Sequence, residues 1–155
     1  MLFNSFAFIF VFLPLLILIL FKIKFIRKSY ILIFFSFAFY CYTNFIHLFL
    51  LLADILWVYF LLKEENVIKK SRFLLCCSFP LLSLVFYKYS HNIYRLNNEL
   101  EFFESIMMPL GISFFTFQLL SYIIDVRRRN ETTLSLKDLV IYISFFPQLI
   151  AGPIV

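Results

Sequence analysis

YILIFFSFAFYCYTNFIHLFLLLADILWVYFLL, residues 30–62, carries a single charge, Asp54, in a run of aliphatic and aromatic side chains. A helix needs about 20 residues to cross the roughly 30 Å of bilayer hydrocarbon, so this stretch is too long for one crossing and short for two. Its flanks decide between them. Lys22, Lys24, Arg27 and Lys28 precede it, and Lys63, Lys69, Lys70 and Arg72 follow it. Both clusters favour the cytoplasmic side of a membrane, so the chain must leave the stretch on the side where it entered. The expectation is a tight helical pair, Tyr30 to Tyr42 and Phe45 to Leu62, turning at Thr43 and Asn44. The first member is short, which implies local bilayer thinning or shielding by other protein.

Outward from this pair the same cutting rule applies. The chain of 155 residues is 63% hydrophobic and 22% aromatic. Soluble domains run nearer half apolar, so lipid is the expected solvent for most of the chain. A first span runs from about Phe6 to Phe21, and snorkelling of Lys22 and Lys24 extends it towards Ile26. No basic region precedes this run and no small-residue cleavage site follows it, so it reads as a retained span rather than a signal. A fourth span covers Phe73 to about Tyr87, and the polar segment Lys88 to Ser105 follows as a loop. A fifth runs from near Ile106 to Asp125, ahead of Arg127, Arg128 and Arg129. A sixth, from about Leu139, is still in progress at Val155. The fold class is therefore all-α: a polytopic membrane protein of about six spans, with no separate soluble domain and an amino terminus outside the cytoplasm.

The formal charge of +5 does not indicate nucleic acid, because the basic residues form short clusters between apolar runs instead of one continuous face. Cys41, Cys76 and Cys77 form no C-x-x-C pair and read as small apolar side chains. His47 and His91 are the two histidines. Neither has a companion at ligand spacing, so no metal site is expected, and neither sits in a Ser-His-Asp pattern.

Polar groups inside the apolar runs are the candidate site. Asp54 lies near the middle of its span, where an ionised carboxylate costs several kcal/mol unless it pairs, protonates or faces water. It marks either a pathway residue or a hydrogen-bonded packing device. In PLGISFFTFQLLSYIID, residues 109–125, Pro109 suits the first turn of a helix, and Gly111 permits a close backbone approach. Gln118, Ser121, Tyr122 and Asp125 recur at spacings of three and four and share one face. With Ser113 and Thr116 they line a wet tunnel or bind helices together. Ser144 and Gln148 stand one turn apart, while Pro147, Gly152 and Pro153 make a long regular helix implausible. Broken helices at membrane depth occur where protein or a water-filled cavity satisfies the backbone.

Four stretches occur together in a familiar order: MLFNSFAFIFVFLPL at the start, FYKY at Phe86 to Tyr89, PLGISFFTFQLLSYIIDV at Pro109 to Val126, and YISFFPQLIAGPIV at the end. Together they resemble the membrane-bound O-acyltransferase family, in its bacterial alginate O-acetyltransferase branch. The resemblance implies a many-helix funnel in the bacterial cytoplasmic membrane. Acyl groups, usually acetyl, pass there from a cytoplasmic donor, acetyl-CoA or an acyl carrier, to a hydroxyl of a cell-surface polysaccharide. It also implies a partner in an extracytoplasmic acetyltransferase. No cofactor is expected to stay bound. The resemblance also implies a histidine acting as general base on the acceptor hydroxyl or as an equivalent proton carrier, and in family members it lies downstream of the GPI motif, beyond Val155. Phe60, Leu61 and Leu62 stand where family members often carry glycine. The expectation is that this chain is an amino-terminal piece, needing the carboxy-terminal part of the same protein and inactive alone. Two other classes compete with this reading: a small transporter or flippase subunit built on Asp54 and the broken last span, and a scaffold that recruits partners through Lys88 to Ser105.

Overall fold

The computed structural model describes residues 6, 8–22, 27–63, 69–96, 108–109, 111–129, 133–145 and 147. The side chains of residues 43, 91–96 and 129 are excluded from that description. All regular elements among the described residues are helical: α1 (Leu13–Lys22), α2 (Lys28–Thr43), α3 (Phe45–Lys63), α4 (Lys70–Leu96), α5 (Ile112–Arg129) and α6 (Leu136–Ser144). A π-helical turn, Phe8–Phe12, leads into α1.

The long apolar stretch does break into a pair, and Asn44 is the hinge. Its backbone is extended at φ −168° and ψ 125°, and its N–H still donates to Tyr40 O, closing α2. Its side-chain Oδ1 then accepts the N–H of Ile46 at 2.9 Å, which opens α3. One residue thus serves as the end of one helix and the cap of the next. The two helices pack against each other.

The expected fourth span ends too early. Helix α4 runs on to Leu96, so the polar segment beginning at Lys88 starts as helix rather than as loop. Residues 97–107 lie outside the described part. Pro80 sits inside α4, where it removes the N–H that would have bonded the Cys76 carbonyl. Helix α5 starts at Ile112, so Pro109 precedes the helix instead of occupying its first turn. Gly111 turns the chain at φ 71°, a conformation that side-chain sterics reserve largely for glycine. Helix α6 begins three residues before the expected Leu139, at a cap in which Ser135 Oγ accepts the N–H of Asp138. It ends at Ser144, ahead of Pro147, consistent with the bar that proline places on the preceding helical turn.

Two helical segments, Phe45–Lys63 and Lys70–Ser90, are long and apolar enough to cross a membrane, and Phe8–Lys22 and Lys28–Tyr42 are shorter apolar helices. Large apolar side chains such as Phe34, Phe49, Phe60, Leu82 and Phe117 stand more than half exposed on several helices. Patches of that extent face lipid or protein rather than water. The architecture is that of a helical membrane protein.

Inside, Leu51, Ile55 and Val58 of α3, Phe115, Leu119 and Ile123 of α5, and Leu139 and Ile143 of α6 join one fully buried core. A second, smaller core holds α1 against α2 through aromatic edges, with Phe12 meeting Phe35 at 5.3 Å between ring centroids and Phe8 meeting Phe39 at 6.0 Å. Offset and edge-on contacts of this kind suit the ring quadrupole.

Most of the described basic residues gather at one end of the bundle, with Lys88 of α4 towards the other. Helices α2 and α3 are antiparallel across Asn44, so the α1–α2 and α3–α4 junctions share an end. Arg127, at the end of α5, lies 4.4 Å over the Phe73 ring at the start of α4, and Lys137 of α6 lies 5.8 Å over Tyr30 of α2. These cation–π contacts bring the α5–α6 junction to the same end.

Candidate functional site

Three mutually packed helices, α3, α5 and α6, each turn a polar side chain into the apolar core. Asp54 is fully buried on α3, Thr116 fully and Gln118 nearly so on α5, and Ser144 fully on α6. Their sequence neighbours Ile55, Leu119 and Ile143 belong to a single core cluster. Depth agrees as well. At 1.5 Å per residue, Asp54 lies about 13 Å along α3 from Lys63, Ser144 about 12 Å along α6 from Leu136, and Gln118 about 16 Å along α5 from Arg129. Half of a 30 Å hydrocarbon layer is about 15 Å, so these groups form a polar layer near mid-depth.

Asp54 has one partner across helices. Ser83 Oγ on α4 donates to Asp54 Oδ2 at 3.3 Å and to its own helix at Pro80 O at 2.9 Å. One hydroxyl proton serves two acceptors, and the shorter contact is the one within α4. Asp54 Oδ1, Thr116 Oγ1, Gln118 Oε1 and Ser144 Oγ are buried with no hydrogen-bond partner among the described residues. Each such group carries a desolvation penalty of about 1–3 kcal/mol, so several at one depth call for water, a ligand or further chain to satisfy them.

The stripe on α5 does not act as one unit. Ile112, Phe115, Leu119, Tyr122, Ile123 and Val126 define the buried side, while Phe114, Phe117 and Ile124 define the exposed side. At 100° per residue the polar stripe runs along the border between these sides. Gln118 and Tyr122 fall inward, Ser121 and Asp125 fall on exposed surface, and Ser113 is intermediate. Tyr122 has a bracing contact: its hydroxyl oxygen accepts the N–H of Leu134 at 3.0 Å, tying α5 to the residue before the α6 cap. Gln148, Gly152 and Pro153 lie outside the described residues, and Pro147 is half-buried. Ser83 escaped sequence reading, although an intramembrane carboxylate needs a donor and the hydroxyl one turn after Pro80 supplies it. His47, one of the two histidines, and Ser36 are also buried.

Among the described residues no three His, Cys, Asp or Glu side chains gather as a metal site. The arrangement offers hydrogen-bonding oxygens and a buried carboxyl group, which can bind and orient a hydroxyl or a carbonyl.

The chain is 50% identical over 50 residues to a protein named probable alginate O-acetylase AlgI from Pseudomonas aeruginosa, covering 32% of this chain and 10% of that protein. The Azotobacter vinelandii protein of the same name is 48% identical over 50 residues, with the same coverage. The peptidoglycan O-acetyltransferase of Helicobacter pylori is 32% identical over an aligned length of 155, covering 77% of this chain and 29% of that protein. The chain therefore spans less than a third of the length of these relatives. No family model matches it, and no solved structure matches it. Through these O-acetyltransferases, and with a membrane architecture whose described elements are all helical, the chain resembles the membrane-bound O-acyltransferase family.

Proposed function

We propose that this chain supplies the amino-terminal helices of a membrane O-acyltransferase that moves acetyl groups from a cytoplasmic donor, acetyl-CoA or an acyl carrier, to hydroxyls of an exported polysaccharide. The likeness to named alginate and peptidoglycan O-acetyltransferases is the observation that carries the reading. The buried polar groups Asp54, Gln118 and Ser144, level near mid-depth along their helices, support it, because acyl transfer between two sides of a membrane needs a polar passage near mid-depth. In this reading Gln118 and Ser144 hydrogen-bond the moving groups, Tyr122 and Gly111 fix the position of α5, and the proton acceptor for the polysaccharide hydroxyl comes from further chain. An extracytoplasmic acetyltransferase assists export-side transfer. The basic end of the bundle faces the cytoplasm, and these helices alone do not catalyse transfer.

The test is acetylation in a bacterial strain stripped of its own polysaccharide O-acetyltransferase. The full-length protein containing these helices is expected to restore ester-linked acetate on the exported polymer, and Gln118→Ala to lower it by about a hundredfold to a thousandfold, as loss of one transition-state hydrogen bond does. Restored acetylation unchanged by Gln118→Ala removes Gln118 from the mechanism. No acetylation by a well-expressed full-length protein overturns the reading.

A further inference from the structure

Between α3 and α4, the hydrogens available do not match the oxygens that need them. Ser83 Oγ has one hydrogen to give, and two oxygens stand near it, Pro80 O at 2.9 Å and Asp54 Oδ2 at 3.3 Å. The shorter contact takes the hydrogen. Bonds from a hydroxyl to an ionised carboxylate run about 2.5–2.7 Å, so 3.3 Å is not the separation that a charged Asp54 imposes on its donor. Asp54 Oδ1 is buried with no partner among the described residues, although a carboxylate offers about four acceptor positions.

No counter-charge compensates. Among the described residues, no charged side chain acts on the Asp54 carboxyl group. Lys63 lies about 13 Å away along α3, and Lys70 lies about 20 Å from Ser83 along α4. Lys88, five residues beyond Ser83, stands about 140° round α4 and is exposed. Lys28 of α2, Arg127 of α5 and Lys137 of α6 stand at the basic end of the bundle. His47 shares the face of α3 that carries Asp54, about 10 Å along the helix. An ionised carboxylate so placed costs several kcal/mol.

We propose that Asp54 is a proton-holding site, a carboxylic acid whose Oδ2–H donates to Ser83 Oγ while Ser83 Oγ–H donates to Pro80 O. Each hydrogen then has one acceptor, and the two bonds run head to tail, an order in which each strengthens the other. The acid ties α3 to α4 by giving a hydrogen bond across the helices. Its Oδ1 is a neutral acceptor, so the polar layer carries no net charge at Asp54. The site is independent of the acyl-transfer reading and needs only that α3 and α4 lie in a bilayer.

The experiment is infrared difference spectroscopy on the full-length protein in phospholipid bilayers at neutral pH, in water and in heavy water. Subtracting the spectrum of Asp54→Asn should leave the carbonyl stretch of one protonated carboxyl group, displaced to lower frequency in heavy water. Ser83→Ala keeps Asp54 itself unaltered and reads the same band should Asp54→Asn fail to fold. There the band should persist and move to higher frequency, as it does when an acid loses its acceptor. Loss of the paired carboxylate bands in Asp54→Asn, in place of the acid carbonyl, overturns the proposal. So does an acid carbonyl region that Ser83→Ala leaves unchanged.

Discussion

Removing the hydroxyl of Ser83 should destabilise the protein more than removing both Ser83 Oγ and the Asp54 carboxyl together. Ser83→Ala deletes the interhelical contact, and hydrogen bonds of this type between membrane helices average about 0.6 kcal/mol with a maximum near 1.7. It also leaves Asp54, which is fully buried, with both carboxyl oxygens unpartnered among the described residues. An orphaned buried polar group adds about 1–3 kcal/mol, so a total loss of about 2 kcal/mol is expected. Adding Asp54→Ala deletes the orphan and should return about 1 kcal/mol, less a small cavity cost. Reversible unfolding in mixed micelles, run as a double-mutant cycle, reads the coupling directly. Additive losses, with the double variant less stable than Ser83→Ala, would refute the coupling between Ser83 and Asp54.

Three further outcomes follow from the backbone. Gly111→Ala places a Cβ at φ 71°, and a loss of about 1–2 kcal/mol in the same unfolding assay is expected. Asn44→Ala removes the acceptor for Ile46 N–H and should lower stability by about 1 kcal/mol, the usual scale for an N-cap. Tyr122→Phe deprives Leu134 N–H of its acceptor. Hydrogen exchange at that amide should accelerate by about fivefold while the amides within α5 stay protected, matching a net bond of about 1 kcal/mol.

Much of the helical layout was legible because charge is costly in hydrocarbon: the clusters at Lys22 to Lys28, Lys63 to Arg72 and Arg127 to Arg129 mark where helices end. The turn at Asn44 was legible for a similar reason, since two short polar residues interrupt an otherwise apolar run. The far end of α4 was not. Lys88 and Arg95 suggest a loop, yet a helix leaving a membrane can continue in water or against protein, and hydropathy carries no stop signal there. Periodicity placed Gln118, Ser121, Tyr122 and Asp125 on one face correctly in angle, but angle does not reveal where neighbouring helices end. The border of the core passes through the stripe and divides it. The partners of Tyr122 and Asp54 lie 12 and 29 residues away in sequence, a separation that local spacing cannot see.

The most direct measurement is the solvent met by position 118 in the bilayer. In the full-length protein with Cys41, Cys76 and Cys77 replaced by alanine, Gln118→Cys and Phe117→Cys are treated in sealed vesicles with a small water-soluble thiol reagent and, separately, with a lipid-dissolved one. A hydrated polar layer predicts that position 118 reacts from the aqueous phase while position 117, exposed on the opposite side of the border, reacts from the lipid phase. Labelling of position 118 from lipid alone would contradict the account.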